Sequence, residues 1–466
     1  MKGETGWSSV RRVGGKRSFA VALVVASLVV APRSLASGWL PHPADATWTY
    51  QWTDSVYGPT PTTEKVTVKD TKGGAFTLAW TTVGLNNPAD AVSTTGQVSF
   101  QETNAGLVNT DWTSNAPPPS WPVLCGTTVS CPNSLSSAYY NVIWGSRSPS
   151  PVLAEPLLKG TTWPGTGGAQ GDVSASSTYL GVEQVTVPAF SGPVTAAKVR
   201  STITQAGALG DPYGSGTRTV WWVYGVGPVK IEFQHAGGTG AAVTSVMLQS
   251  TNQTPQAPPS DVDYFPLTKG QTLTYRWTNT KHLAQPEVER FTTDAVANGS
   301  ARFTVKSVSG PIKVAGTYGF SKRLDGITNL WGTTQSATKL KFPPLGPKGA
   351  GAADRNHIVT PFDLMTFGFN PILQAYAIKG ATWPADPASH DFSIYGVTGT
   401  TSVLGVQKVT VPAGTFQALA VRTTLVQAGF PYGSGTRTSW FAPGKGLVKL
   451  VFAHGDGSVS TVELTK

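Results

Sequence analysis

PYGSGTRT occurs twice in this chain of 466 residues, at 212–219 and at 431–438, and the duplication extends far beyond the octapeptide. YLGVEQVTVPAF at 179–190 with AAKVRSTITQAG at 196–207 matches VLGVQKVTVPAGTFQALAVRTTLVQAG at 403–429. LLKGTTWP at 157–164 matches AIKGATWP at 377–384, and TWTYQWTD at 47–54 matches TLTYRWTN at 272–279. The offset between matched positions drifts only between 219 and 225, so the copies differ by short insertions that belong in loops. So long a period marks a duplicated domain and not a solenoid, because each copy, at roughly 205 residues, is large enough to bury its own core. The expected organisation is two domains, 38–251 and 261–466, joined by the proline-containing linker NQTPQAPPS at 252–260.

Within each copy the apolar residues fall at period two. Trp48, Tyr50 and Trp52 alternate with Thr49, Gln51 and Thr53, and Phe76, Leu78 and Trp80 alternate with Thr77 and Ala79. Val229, Ile231 and Phe233 alternate with Lys230 and Glu232, and Val448, Leu450 and Phe452 repeat the pattern around Lys449. Such alternation is what an antiparallel strand with one face in the core and one in water requires. The fold expected is mainly β, with one or two short helices per domain. The best helical candidates follow a proline, at 152–158 and 372–378.

The compartment is written at the start of the chain. Arg11, Arg12, Lys16 and Arg17 precede an uncharged apolar run at 18–31, followed by Ser34, Leu35 and Ala36. That order predicts a signal peptide over 1–36, and its apolar core of about fourteen residues falls short of the roughly 20 that span a bilayer. A secreted or cell-envelope protein with no membrane span after cleavage is expected; with no cysteine near the cleavage region, free secretion is favoured over a lipid anchor. Removing the leader's six Lys and Arg and one Glu from totals of 35 and 25 lowers the formal net charge from +10 to +5. Charge so weak and scattered implies no nucleic-acid partner. The two cysteines, Cys125 and Cys131, have five residues between them. In an oxidising compartment that spacing suggests a small-loop disulfide, the alternative being two unpaired thiols.

The repeated octapeptide reads as a turn. Gly214 and Gly216 flank Ser215 between two strand patterns, where glycine permits positive φ at low steric cost. Gly225 and Gly227, like Gly444 and Gly446, mark a second turn, so 217–223 and 228–233 read as a hairpin. A phosphate-cradling loop would carry GxxxxGK[ST] or GxGxxG and feed a helix, whereas here a strand follows.

VTVPAGTFQALAVRTT at 409–424, followed by TSWFAPGKGLVKLVF at 438–452, resembles a recurring signature of bacterial secreted and envelope domains. In these a V-P-A-G-T-F-x-A-L strand precedes a W-[YF]-A-P-G-x-G-L-V-K hairpin. They are similar to the curved antiparallel half-barrels of the lipoprotein-carrier type. The resemblance implies a tandem pair of curved sheets, each often lidded by helix and able to hold an acyl chain on its concave face. The first copy departs from the signature at Phe190, Ser191, Gly192 and Pro193, and again at Val223 and Tyr224.

Chemistry inherited by both copies should recur at aligned positions. The acidic pair that aligns is Glu64 with Glu289, each followed by a base, Lys65 or Arg290, on what reads as a surface strand where a salt bridge accounts for it. The other recurring polar pairs are Lys159 and Lys379, Arg200 and Arg422, Arg218 and Arg437, Lys230 and Lys449, and His235 and His454. Such a set can bind a lipid headgroup or an acidic wall polymer but cannot perform two-carboxylate hydrolysis; as ordinary strand residues they protect edges and solubilise. Candidate ligand-binding residues are therefore Arg218, Arg437, Lys230, Lys449, His235 and His454. No catalytic residue, metal or cofactor is expected, because the histidines lack ligands at metal-binding spacing and no GxSxG elbow is present. Trp163 and Trp383, and Trp52 and Trp277, recur and read as core; Trp39, Trp112, Trp121 and Trp144 lack Trp counterparts and are better candidates for specialised contacts.

The function expected is a secreted, non-enzymatic envelope or cell-surface protein that binds an apolar or amphipathic ligand, such as a lipid, or a cell-wall polymer. A hydrolase with a site between the two domains, and a purely structural wall component, are the alternatives. A groove lined by apolar side chains would favour the first, and a buried carboxylate or Ser-His pair in the cleft between domains would favour the hydrolase.

Overall fold

The structure, a computed structural model, describes residues 38–83, 94–103, 105–114, 135–167, 173–206, 212–236, 242–297, 299–323, 326–336, 342–343, 345, 358, 360–368, 371–384 and 397–466. The leader at 1–36 and both cysteines, Cys125 and Cys131, lie outside the described residues.

The period-two segments form strands. The first half runs β1 (Thr47–Asp54), β2 (Gly58–Lys72), β3 (Ala75–Val83), β4 (Thr95–Thr103), β5 (Gly106–Ser114), helix α1 (Ala138–Ile143), β6 (Pro151–Ala154), β7 (Thr162–Gly167), β8 (Val173–Val185), β9 (Val194–Gln205), β10 (Gly216–Val223), β11 (Gly227–His235) and β12 (Val243–Thr251). The second runs β13 (Thr272–Asn279), β14 (Glu287–Ala297), β15 (Ser300–Ser309), β16 (Val314–Arg323), β17 (Gly326–Ser336), helix α2 (Pro361–Thr366), β18 (Leu373–Gln374), β19 (Thr382–Pro384), β20 (Val397–Val411), β21 (Gly414–Gln427), β22 (Gly435–Ala442), β23 (Gly446–His454) and β24 (Val459–Leu464).

Each half makes one antiparallel sheet of twelve strands among the described residues, as the tandem curved-sheet expectation required. Sequence neighbours pair throughout except at one break, and the first and last strands of each half pair with each other. Trp52 stands opposite Val246 across β1 and β12, and Trp277 opposite Val462 across β13 and β24. Each sheet is therefore a meander whose ends are joined and whose opening falls in the middle, between β6 and β7 in the first and between β18 and β19 in the second.

Strand parity decides which face is core. β1 buries Trp48, Tyr50 and Trp52 while Thr47 and Gln51 are exposed. Helix α1 lies on that inner face with all six residues buried. Its Tyr139 meets Tyr50 edge-on at 5.9 Å, and its Tyr140 meets Trp80 and Trp112 at 5.5 and 5.4 Å. In the second half Phe362 of α2 stacks on Phe291 at 4.0 Å and packs against Tyr318 and Phe320. The inner face beneath each helix, where the resemblance implied an acyl chain, is thus occupied by the chain's own aromatic rings, each burying roughly 150–250 Å².

Two expectations require correction. The segments at 152–158 and 372–378 are not helical; they begin with the short edge strands β6 and β18, and the helices lie upstream of them. A short apolar run after a proline satisfies a buried strand as well as a helical turn, and helices of six residues carry too little periodicity to reveal themselves. Glu64 and Glu289, expected on a surface strand, are both fully buried. Glu64 shares its parity with Val66 and Val68, so it faces inward to meet α1, accepting from Ser137 Oγ at 2.9 Å and from the Ala138 amide at 2.8 Å. Those bonds satisfy orphan donors at the start of the helix. Helix α2 instead caps itself through Thr360 and Asp363, and neither carboxylate oxygen of Glu289 has a hydrogen-bond partner.

Candidate functional site

The duplicated octapeptide brings three of the recurring residues together as a structural clip. Arg218, on β10, donates to the carbonyls of Asn141 and Trp144 at the end of α1, both at 2.6 Å; Arg437, on β22, does the same to Leu364 at 2.5 Å and Phe367 at 3.0 Å after α2. A cation at a helix C-terminus completes carbonyls that the helix leaves unbonded and complements its dipole. Both guanidinium groups are buried, which pushes them down to about 9. Gly216 and Gly435 take φ of 144° and 134° where a side chain would strike the neighbouring strand's backbone; Gly214 and Gly433 leave room for Gln205 and Gln427.

Tyr213 stacks on His235 with centroids 3.8 Å apart, and Tyr432 on His454 at 4.1 Å. Each histidine Nδ1 donates to its tyrosine's carbonyl oxygen at 2.6 Å. His235 Nε2 lies 2.8 Å from Thr244 Oγ1, and the hydroxyls of Thr244 and Tyr213 donate to Asp54 Oδ2 at 2.9 and 2.8 Å. In the second half Asn279 replaces Asp54: its amide donates to Ser460 Oγ at 2.9 Å, and Ser460 Oγ is 2.9 Å from His454 Nε2. Burial pushes His454 down to about 4, so its ring is neutral at neutral pH. Lys230 pairs with Glu232 at 2.8 Å and Lys449 with Glu463 at 3.3 Å, on the outer face. The six candidate ligand-binding residues therefore stand in two inner clips and two outer ion pairs. Among the described residues, no group of three or more His, Cys, Asp or Glu is placed to hold a metal ion, and no helix is long and apolar enough to cross a membrane.

A cavity of about 420 Å³ opens at the break in the first sheet. Its walls are Pro149, Ser150, Pro151, Ala154 and Glu155 along β6 and Thr161, Thr162, Trp163 and Pro164 along β7, with Gly299 and Lys322 contributed by the second half. Proline on facing edge strands removes ladder donors, which explains why the sheet does not zip shut here. Instead Trp163 Nε1 donates across the break to the Pro151 carbonyl at 3.1 Å, a clip that Trp383 repeats with Pro371 at 2.9 Å.

Glu155 is the unusual group in this wall. It is 5% exposed, and neither of its carboxylate oxygens has a hydrogen-bond partner. Burial, reinforced by Glu102, holds its carboxyl well above the usual carboxylate range. Around it the two halves meet: the Leu157 amide donates to Tyr376 Oη at 2.5 Å and Tyr179 Oη donates to Asp261 Oδ2 at 3.0 Å, while within the second half Lys322 is held by Asp263 at 2.5 Å. Aligning PVLAEPLLKG at 151–160 with PILQAYAIKG at 371–380 sets Glu155 and Pro156 against Ala375 and Tyr376. The charge in the site is therefore private to the first copy, while Pro151, Thr162, Trp163 and Pro164 of its walls recur as Pro371, Thr382, Trp383 and Pro384. A search for residues that recur passes over Glu155; a search for charge private to one copy finds it.

No protein-family model matches the chain, and no curated protein does. Among solved structures it is similar to a Bacteroides fragilis protein described as exported, with a YmcC-like fold, at 12% identity over 44% of this chain and 98% of that one, TM-score 0.26. A Parabacteroides distasonis protein described as a lipoprotein is 12% identical over 46% and 98%, TM-score 0.24. Kievitone hydratase from Nectria haematococca aligns over 93% of both chains at 8% identity, TM-score 0.12. Likeness at this level carries no activity from any of them to this chain.

Proposed function

We propose that this is an exported, non-enzymatic protein of the cell envelope that binds an amphipathic lipid or a cell-wall polymer in the cleft between β6 and β7. The observation that carries the reading is the cleft itself: a cavity of about 420 Å³ combining an indole, prolines, hydroxyls and one unpartnered buried carboxyl. Ligand sites combine apolar walls with a few convergent polar groups in this way. The leader pattern at 1–36 supports export. We take 38–251 and 261–466 as the two domains, a division supported by each sheet joining its own first and last strands within those bounds. Native mass spectrometry of the secreted protein, followed by solvent extraction, tests the reading. A stoichiometric lipid or glycan, lost when Thr162→Trp blocks the cleft, is the expected result; retention of that ligand by the blocked variant would place binding elsewhere.

A second reading, hydrolysis, is favoured by one observation: a carboxyl pushed above its usual range by burial beside a cleft is the environment in which a general acid works. Turnover of fluorogenic glycosides or esters that disappears in Glu155→Gln would establish it.

A further inference from the structure

The joint behind the cleft contains more hydrogen-bond acceptors than donors to meet them. Three carboxylate oxygens, both of Glu155 and Oε1 of Glu102, are buried without a partner. Leaving such groups unpaired is costly, and a native protein that retains them invites an explanation in strain, chemistry or a missing partner. The cation in the cleft wall does not supply one: Lys322 is held by Asp263. The other titratable groups that feel Glu155 are the hydroxyls of Tyr376 and Tyr224, neither of which can neutralise a carboxylate.

Resting on the reading that the cleft binds a ligand, we propose that it admits an organic ammonium group, carried by an ethanolamine lipid headgroup or an amino-sugar wall polymer, which pairs with Glu155 and Glu102. The donor count fits, since an ammonium brings three donors and one positive charge to two carboxyls in a water-poor joint. Trp163 in the adjacent wall offers an aromatic surface of the kind that cations favour. The oxygens of Glu155 are shielded from water, Glu155 itself forms part of the cleft wall, and pairing with the ammonium requires its side chain to turn toward the cleft. Proton balance follows. Glu155 passes from –COOH to –COO⁻, its proton goes to the buffer, and the ligand keeps its –NH3⁺ with no covalent bond formed.

Calorimetric titration of the full secreted chain, in two buffers of different ionisation enthalpy, tests this. The probes are glucosamine oligomers, their N-acetylated counterparts, and vesicles of phosphatidylethanolamine or phosphatidylcholine. The free-amine oligomer or the ethanolamine vesicle, whichever is the source, should bind with proton release, and its uncharged or quaternary counterpart should bind at least about tenfold more weakly. Glu155→Gln, which keeps the shape, should abolish proton release and weaken binding by about tenfold or more. Thr162→Trp, which leaves both carboxyls in place, should block binding as well. Equal binding of the amine and acetylated oligomers without proton release overturns the ammonium inference and leaves the cleft reading intact. Binding that survives Thr162→Trp overturns the cleft reading, and failure of every probe to bind overturns the ammonium inference.

Discussion

One substitution between the copies changes what a histidine must do. In the second half Asn279 donates to Ser460, so the Ser460 hydroxyl is left to donate to His454 Nε2, and a neutral ring satisfies every bond. In the first half Thr244 spends its proton on Asp54, so the 2.8 Å contact with His235 Nε2 needs a proton from the ring. With Nδ1 donating to the Tyr213 carbonyl, this pattern of bonds calls for a ring protonated on both nitrogens, 3.8 Å from Asp54. Nitrogen NMR should therefore show a doubly protonated ring for His235 and a neutral one for His454 near neutral pH, and Asp54→Asn should convert the first to the second. Identical neutral rings in the wild type would refute the assignment. His454 also sets a pH dependence. Its folded value of about 4 lies below its ordinary 6.5, so its contribution is complete above about pH 6.5 and is lost as the unfolded chain takes up a proton first on acidification toward pH 4. The loss amounts to at most about 3 kcal/mol. The difference in unfolding free energy between wild type and His454→Gln across that window is the measurement, and a flat difference would count against a neutral buried ring.

At the scale of elements, each short helix is held at its end by an arginine from a strand, and α1 also at its start by a strand glutamate. α1 receives Glu64 at its start and Arg218 at its end; α2 caps its own start and receives Arg437 at its end. Both carbonyls at the end of α2 are bonded by one nitrogen, Nη1 of Arg437, so Arg437→Met, which removes that fork and its charge together, is expected to lose about 2–4 kcal/mol by chemical denaturation, with faster amide exchange in α2. Stability within about 0.5 kcal/mol of wild type would show that the fork is dispensable. The strands and the octapeptide turn were legible in the sequence because period-two alternation and paired glycines leave strong local marks. The helices were not, since six residues make fewer than two turns and their ends are satisfied by partners 73 to 77 residues away. The inward direction of Glu64 was legible from its parity with Val66, yet an adjacent lysine made a surface pair the simpler reading.

For the whole molecule, duplication explains both the fold and the site. Where the copies agree, at Arg218 and Arg437, Trp163 and Trp383, or the Tyr-His stacks, the shared residues hold sheet, helix and turn together. Where they differ, at Glu155 against Ala375 and Pro156 against Tyr376, the two halves meet around a cleft and an unpartnered carboxyl. Its long-range surroundings, from the second half and the linker, leave no local signature, which is why alignment of the copies identified the scaffold more readily than the site. The central claim is that Glu155 has no internal partner for its charge. A carboxyl whose folded value is raised favours folding while protonated and costs stability as pH rises through that value. The most direct measurement is therefore thermal unfolding of wild type and Glu155→Gln from about pH 5 to about pH 8. The account predicts melting temperatures that nearly coincide in acid, with the wild type falling progressively below the variant as pH rises. A wild type that is equally or more stable than Glu155→Gln at the alkaline end would mean the carboxylate is paired within the fold, and would contradict the account.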